Sequence, residues 1–98
     1  MDLIVTVKEV KGRCSVYNSG DSIIIKDGYI LDTGNSVDAC MHSLASIMPY
    51  YIALSKGVAP LSLGLSGEKK GSAYIQCLDP CEITGGGTVI FEITPYYV

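Results

Sequence analysis

The sequence predicts an α+β domain in two layers, with a mostly antiparallel sheet of four to five strands packed on one kinked central helix. Short β-branched runs recur near both ends of the chain, and a long uncharged apolar stretch lies between them. Turns containing glycine or proline separate these segments, so the expected order is β-β-β-α-β-β. A chain of 98 residues, 48% of them hydrophobic, suits a single domain over 1–98.

The first strand is predicted at the N-terminus. Leu3, Val5 and Val7 alternate with their neighbours at a period of two, which is typical of a strand with one buried face. Gly12 ends this run, and a β-branched second strand follows over Ser22–Lys26.

A tight hairpin is predicted after the second strand. Asp27-Gly28 separates that strand from a third at 29–31, and this residue pair suits the two-residue turn of an antiparallel hairpin.

The central helix is expected to begin near Ser36, with Asp38 in its first turn, where a carboxylate meets the positive end of the helix dipole. Pro49 cannot donate a backbone hydrogen bond, so the helix should kink or restart there before Gly57 ends it. The uncharged stretch 39–55 is too short and too interrupted by polar residues to span a membrane.

Two further strands are predicted at 73–77 and 88–94, and Pro95 should stop the last one. Three consecutive glycines, 85–87, lie between them. A phosphate-binding loop would lead into a helix whose amides face the anion, whereas a strand follows here. The glycines therefore predict a wide hairpin loop.

Charge and composition exclude some classes of partner. The net charge is -3, and seven basic residues are scattered along the chain, which argues against a nucleic-acid partner. The tyrosine pairs at 50–51 and 96–97 are therefore interpreted as core and interface rings. Asp2 stands where a signal peptide needs positive charge, so we expect a cytoplasmic protein with no membrane partner.

Four cysteines carry most of the chemistry that the sequence offers. In a reducing compartment such thiols are more often free, metal-bound or redox-active than paired in structural disulfides. Cys77 and Cys81 have C-x3-C spacing, and a structural zinc site would need two more ligands to converge on them. The candidate ligands for zinc or an iron-sulfur cluster are Cys14, Cys40, Cys77 and Cys81.

The cysteines also have simpler interpretations. Cys40 falls within the apolar side of the predicted helix, where a packed core thiol is the commoner case. Cys14 follows Arg13, whose positive charge would favour the thiolate, so Cys14 is the better candidate for a reactive thiol. On one helix, Cys40 and His42 would point about 200° apart and would not bind the same metal ion.

The order of several segments resembles an uncharacterised family of small prokaryotic proteins of about this length. The resemblance covers nearly the whole chain and rests on these residues: Val10-Lys11-Gly12-Arg13-Cys14, Tyr17, Gly20-Asp21, Cys40, Pro49, Ala53-Leu54, Cys77-Leu78-Asp79-Pro80 and 85–91. It implies a single cytoplasmic domain with recurrent cysteines at 14, 40 and 77, and it carries no assigned activity. Cys81 departs from the pattern, in which a glycine is expected.

Two functional hypotheses follow. The first is a binding or assembly module without catalytic activity, forming a homo-oligomer because a two-layer domain leaves one apolar face uncovered. The second is a thiol-centred protein that binds zinc or an iron-sulfur cluster, or undergoes reversible oxidation, through Cys14, Cys40, Cys77 and Cys81. No residue pattern indicates a catalytic acid and base.

Overall fold

The computed structural model of the protein describes residues 1–96. Within this range the strands are β1 (Asp2–Gly12), β2 (Ser22–Lys26), β3 (Ile30–Leu31), β4 (Ala73–Gln76) and β5 (Gly87–Tyr96). The helices are α1 (Met41–Ile47), α2 (Tyr51–Ser55) and α3 (Cys81–Thr84), and a 3-10 turn spans Pro60–Leu63.

The strands form one antiparallel sheet in the order β3-β2-β1-β5-β4. This confirms the predicted α+β class and the antiparallel sheet. The predicted sequence of elements and the single kinked central helix are wrong. Two short helices stand in place of that helix, and α3 is inserted between β4 and β5.

One face of the sheet carries the core. The inward residues of the two central strands are almost completely buried, and Ile47 of α1 and Leu54 of α2 cover them. Each such aliphatic or aromatic side chain contributes about 1.5–3 kcal/mol when it leaves water. The inward residues of β1 and β5 are Leu3, Val5, Val7, Val89, Phe91 and Ile93.

A β-bulge in β1 changes which residues face the core. Val7 pairs with Phe91 but Glu9 pairs with Ile90, so one extra residue, Lys8, is inserted between them. Because side chains alternate between faces, the insertion moves the inward phase from odd to even positions. Val10 therefore packs against the core, and Cys14, beyond the end of the strand, also contacts it.

The predicted start of the helix near Ser36 is wrong. Cys40 has an extended backbone, with φ -82° and ψ 135°, and caps α1, which begins at Met41. The preceding residues lie beside β2 instead, where the Ser36 hydroxyl accepts a hydrogen bond from the Ile24 N–H at 2.8 Å. Satisfying the backbone of β2 takes precedence over helix formation, and Asp38 consequently lies outside the helix.

The predicted break at Pro49 takes the form of a restart. α1 ends at Ile47 and α2 begins at Tyr51, with Pro49 in the turn between them, and Gly57 follows with φ +86°. Among residues 1–96, no helix has the length and apolar character that crossing a membrane requires.

The hairpin loop between β2 and β3 contains three residues, because Lys26 pairs with Ile30. The predicted two-residue loop is therefore one residue too short, although Asp27 and Gly28 both adopt positive φ as such turns require.

Pro95 does not stop the last strand. It pairs with Leu3 within β5, and the last pair between β4 and β5 is Ala73 with Ile93. At Pro95 only one side of β5 is paired, so the missing N–H leaves no gap in the sheet. Tyr96 ends the strand with its side chain exposed, and Tyr97 lies outside the described residues.

Candidate functional site

A cavity of about 290 Å³ lies at one end of the sheet. Three of the four cysteines contribute to its wall, together with the histidine of the chain and two charged residues. These lining residues are Cys14, Cys40, Cys77, His42, Arg13 and Asp79.

The three cysteines reach this cavity from the ends of different elements. Cys14 follows β1, Cys40 immediately precedes α1, and Cys77 follows β4. The Cys77 N–H donates to the Val89 carbonyl at 2.9 Å, so Cys77 continues the β4–β5 pairing toward the cavity. The convergence is tertiary, because the sequence separations are 26 and 37 residues.

Glycines permit the loop after β1 to lie directly against the start of β5. A Cβ atom on Gly87 would lie 2.6 Å from the Arg13 carbonyl carbon and 2.7 Å from the Cys14 nitrogen. Gly12 adopts φ +76°, and the Arg13 N–H donates to the Gly86 carbonyl at 3.1 Å. The glycine triplet, predicted as a wide hairpin loop, therefore sets the position of Cys14.

Tyr17 connects the loop after β1 to the start of α1. Its hydroxyl accepts a hydrogen bond from the Cys40 N–H at 2.7 Å and lies 2.6 Å from the Ser43 Oγ. Ser43 Oγ donates to the Cys40 carbonyl at 2.7 Å, so the Tyr17 hydroxyl must donate to Ser43. The Tyr17 ring packs edge-on against Phe91, with centroids 5.4 Å apart.

The sulfur atoms of Cys14 and Cys77 differ in their surroundings. Cys77 is buried, and its Sγ accepts from the Val89 N–H at 3.2 Å and donates to the Gly87 carbonyl at 3.6 Å. Cys14 is half-buried, and its Sγ accepts from the Tyr17 N–H at 3.4 Å. Cys14 is thus the more accessible of these two thiols, because the Cys77 sulfur is buried and hydrogen-bonded to backbone groups on β5.

Cys81 takes a different position. It begins α3, its N–H donates to the Thr88 hydroxyl at 3.4 Å, and it lines a separate hollow beside Lys11 and Glu82. All four cysteines are free thiols. In the described part of the chain, no three or more Cys, His, Asp or Glu side chains form a group arranged to hold a metal ion. The zinc or iron-sulfur site stays a prediction.

Cys40 and His42 both line the cavity, although the sequence predicts that they point apart. That expectation assumed that both residues lie on one regular helix. Because Cys40 has an extended backbone, the helical rotation of about 100° per residue does not relate the two side chains.

The opposite face of the sheet carries a polar cluster away from the cavity. The Tyr74 hydroxyl donates to Glu92 at 2.7 Å, and Lys8 forms an ion pair with Glu68 at 2.9 Å. The hydrogen bond to Glu92 raises the pKa of Tyr74 above its ordinary value of 10.0. The hydrogen bond and negative charge of Glu68 raise the pKa of Lys8 above 10.5.

Sequence reasoning missed the contribution of Tyr17, Ser43 and Asp79 to the site. Ser43 gave a usable signal, since it is a single hydroxyl among apolar residues on the buried side of α1. Tyr17 gave no pattern of its own, because its partners lie 23 and 26 residues away.

No family model matches the chain, and neither a curated protein nor a solved structure matches it.

Proposed function

We propose that the protein is a small cytoplasmic module with a thiol-centred site in the cavity formed by Cys14, Cys40 and Cys77. The observation that supports this function is that these three cysteines line one cavity although they are distant in sequence. This is the second of the two functional hypotheses, without Cys81.

The arrangement favours chemistry over simple packing. A cysteine that only fills space is usually enclosed by apolar neighbours, as a small hydrophobic residue would be. Here two of the thiols are only half-buried, and His42 and Arg13 line the same cavity. Half-buried thiols in a cavity shared with basic residues suit reversible oxidation or the binding of a soft ligand.

A thiol-labelling experiment tests this proposal. The purified protein is alkylated under reducing conditions, and the modified residues are identified by mass spectrometry over time. We expect Cys14 to react first and Cys77 last, because Cys77 is buried and its sulfur takes part in two backbone hydrogen bonds. Labelling of Cys14 should slow the labelling of Cys40, since both line one cavity.

The Cys81→Ser variant provides the matched control, because Cys81 is also half-buried but lies outside the cavity. It should leave the labelling of the other three cysteines unchanged. The proposal fails if Cys14 and Cys40 react independently of each other and no faster than Cys81.

A second candidate function, self-association, has an observation of its own. An apolar groove of about 190 Å³ lies between the β2–β3 hairpin and α1. Its rim includes exposed apolar side chains, with Tyr29 73% and Met48 60% accessible, and Leu31 lies on the short edge strand β3. Exposed apolar surface next to an unpaired strand edge favours a homodimer.

Light scattering at several protein concentrations tests the homodimer. We expect a concentration-dependent dimer that Met48→Lys shifts to monomer. The control is Ile83→Lys, which should leave the dimer unchanged because Ile83 is 86% exposed on α3, away from the groove. A monomer at all concentrations would exclude this candidate.

A further inference from the structure

The three cavity thiols are not equivalent, and Cys14 is the one placed to react. The Cys77 sulfur is buried and hydrogen-bonded twice to backbone. Cys40 is held through its backbone, since its N–H and carbonyl bind Tyr17 and Ser43. Cys14 lies in the loop after β1, half-buried between exposed neighbours on both sides.

Two features hold Cys14 at the cavity. The Tyr17 N–H donates a hydrogen bond to its sulfur at 3.4 Å. Arg13, the preceding residue, lines the same cavity. The close contact of Gly87 with Arg13 and Cys14 fixes the loop in this position.

Arg13 can bind an anionic ligand at the cavity. It lines the cavity, and its guanidinium is a permanent cation. Asp79 is the acidic residue of the lining, and the Thr84 hydroxyl donates to its carboxylate from α3. The Asp79 carboxylate thus has a hydrogen-bond partner within the protein, whereas Arg13 is exposed and forms no ion pair within residues 1–96.

We infer that Cys14 forms a mixed disulfide with a small disulfide that carries carboxylates, and that Arg13 selects this ligand through its charge. The inference rests on the proposed thiol-centred function and names its ligand class. A carboxylate matches the forked geometry of a guanidinium, so one group of the ligand binds Arg13 while its sulfur meets Cys14.

The reaction is a thiol-disulfide exchange. The Cys14 thiolate attacks one sulfur of the small disulfide, a new sulfur-sulfur bond forms, and the original one breaks. The leaving thiolate takes a proton from solvent. Cys14 is thereby oxidised to the disulfide level and the other half of the ligand is reduced to a thiol, so the two electrons balance.

The test compares two small disulfides of different charge. The reduced protein is mixed with glutathione disulfide, which carries carboxylates, or with the neutral bis(2-hydroxyethyl) disulfide, and adducts on Cys14 are followed by mass spectrometry. We expect Arg13→Gln to slow the reaction with glutathione disulfide by about two- to fivefold, the usual contribution of an exposed charge pair. The neutral disulfide should react at an unchanged rate.

Two controls, the salt concentration and the Lys56→Gln variant, test whether the effect depends on the charge of Arg13. Raising the ionic strength should reduce the preference for glutathione disulfide in the native protein, because salt screens exposed charges. Lys56→Gln, which removes an exposed positive charge after α2 and outside the cavity lining, should leave both rates unchanged.

The outcomes separate this inference from the proposed function. If Cys14 reacts with both disulfides and Arg13→Gln slows both equally or neither, the ligand assignment is wrong while the thiol-centred site stands. If Cys14 reacts with neither disulfide and is not alkylated ahead of Cys81, both are wrong. Adducts formed on Cys40 or Cys81 instead of Cys14 also overturn the inference.

Discussion

The hydroxyl of Tyr17 and the hydroxyl of Ser43 form a buried hydrogen bond of 2.6 Å that joins the loop after β1 to α1. Both side chains are almost inaccessible, with Tyr17 2% and Ser43 0% exposed. The same tyrosine oxygen accepts a hydrogen bond from the Cys40 N–H, which fixes the residue that immediately precedes α1. The position of two cavity cysteines thus depends on a single tyrosine.

Tyr17→Phe should destabilise the protein by about 1–3 kcal/mol, because it leaves the part-buried Cys40 N–H without its acceptor and removes the hydrogen bond that the Ser43 hydroxyl accepts. Urea unfolding followed by circular dichroism measures the change. Tyr29→Phe is the control, since Tyr29 is 73% exposed, and it should have little effect. Equal stability of the two variants would contradict the role assigned to Tyr17.

The double variant Tyr17→Phe with Ser43→Ala should cost less than the sum of the two single changes. Residues that share one hydrogen-bond network show coupling energies of about 0.5–3 kcal/mol. The four proteins of this cycle are compared by unfolding under identical conditions. Strict additivity would show that the hydroxyls do not act together.

Gly87→Ala should be strongly destabilising, because the added Cβ would lie 2.6 Å from the Arg13 carbonyl carbon, which is backbone and cannot rotate away. Forced overpacking of this kind costs about 1–3 kcal/mol. Gly34→Ala is the matched control, since its nearest neighbour would be 3.6 Å away and its φ is not positive. Thermal unfolding of both variants measures the difference, and similar melting temperatures would refute the close approach.

Tyr74 should titrate above the ordinary pKa of tyrosine, because ionisation breaks its hydrogen bond to Glu92 and places two negative charges together. The stabilisation from this raised pKa is present below pH 10.0 and is lost as the pH rises through the value in the folded protein. Absorbance of tyrosinate during an alkaline titration measures it. Glu92→Gln should lower the pKa of Tyr74, and Tyr74→Phe should remove that transition from the titration.

Metal content should depend on the cavity cysteines if zinc or an iron-sulfur cluster binds. After anaerobic purification, elemental analysis should show less metal in Cys14→Ser, Cys40→Ser and Cys77→Ser than in Cys81→Ser, because Cys81 lines a different hollow. An equal loss in Cys81→Ser would instead favour the four-cysteine ligand set.

The sequence predicts the structure correctly where the local residue pattern and the tertiary contacts favour the same conformation. The alternation of Leu3, Val5 and Val7 predicts the face that the structure buries, and Pro49 predicts the break between two helices. The helix start near Ser36 failed, because the Ser36 hydroxyl and its neighbours pair with the backbone of β2. The helix propensity of residues 36–40 does not indicate that backbone groups of β2 are available to bind them, because β2 is distant in sequence.

The sequence predicts which residues could form the candidate site, but not which of them lie close together. Cys14, Cys40 and Cys77 were identified as the residues with chemistry, but Cys81 was grouped with Cys77 because their spacing is short. The structure separates that pair, since Cys81 enters α3 while Cys77 continues the β4–β5 pairing. Sequence proximity did not indicate which sulfurs share a cavity.

By itself, the sequence determined the class of fold, the buried face of β1 and the thiols available for chemistry, because these follow from residue type and local periodicity. Only the tertiary structure decided where those thiols lie. A single bulge at Lys8 sets the phase that directs Val10 toward the core, and glycine at 87 lets the loop that carries Cys14 lie against the start of β5. Both effects depend on pairing between residues about 80 positions apart, which no local pattern encodes.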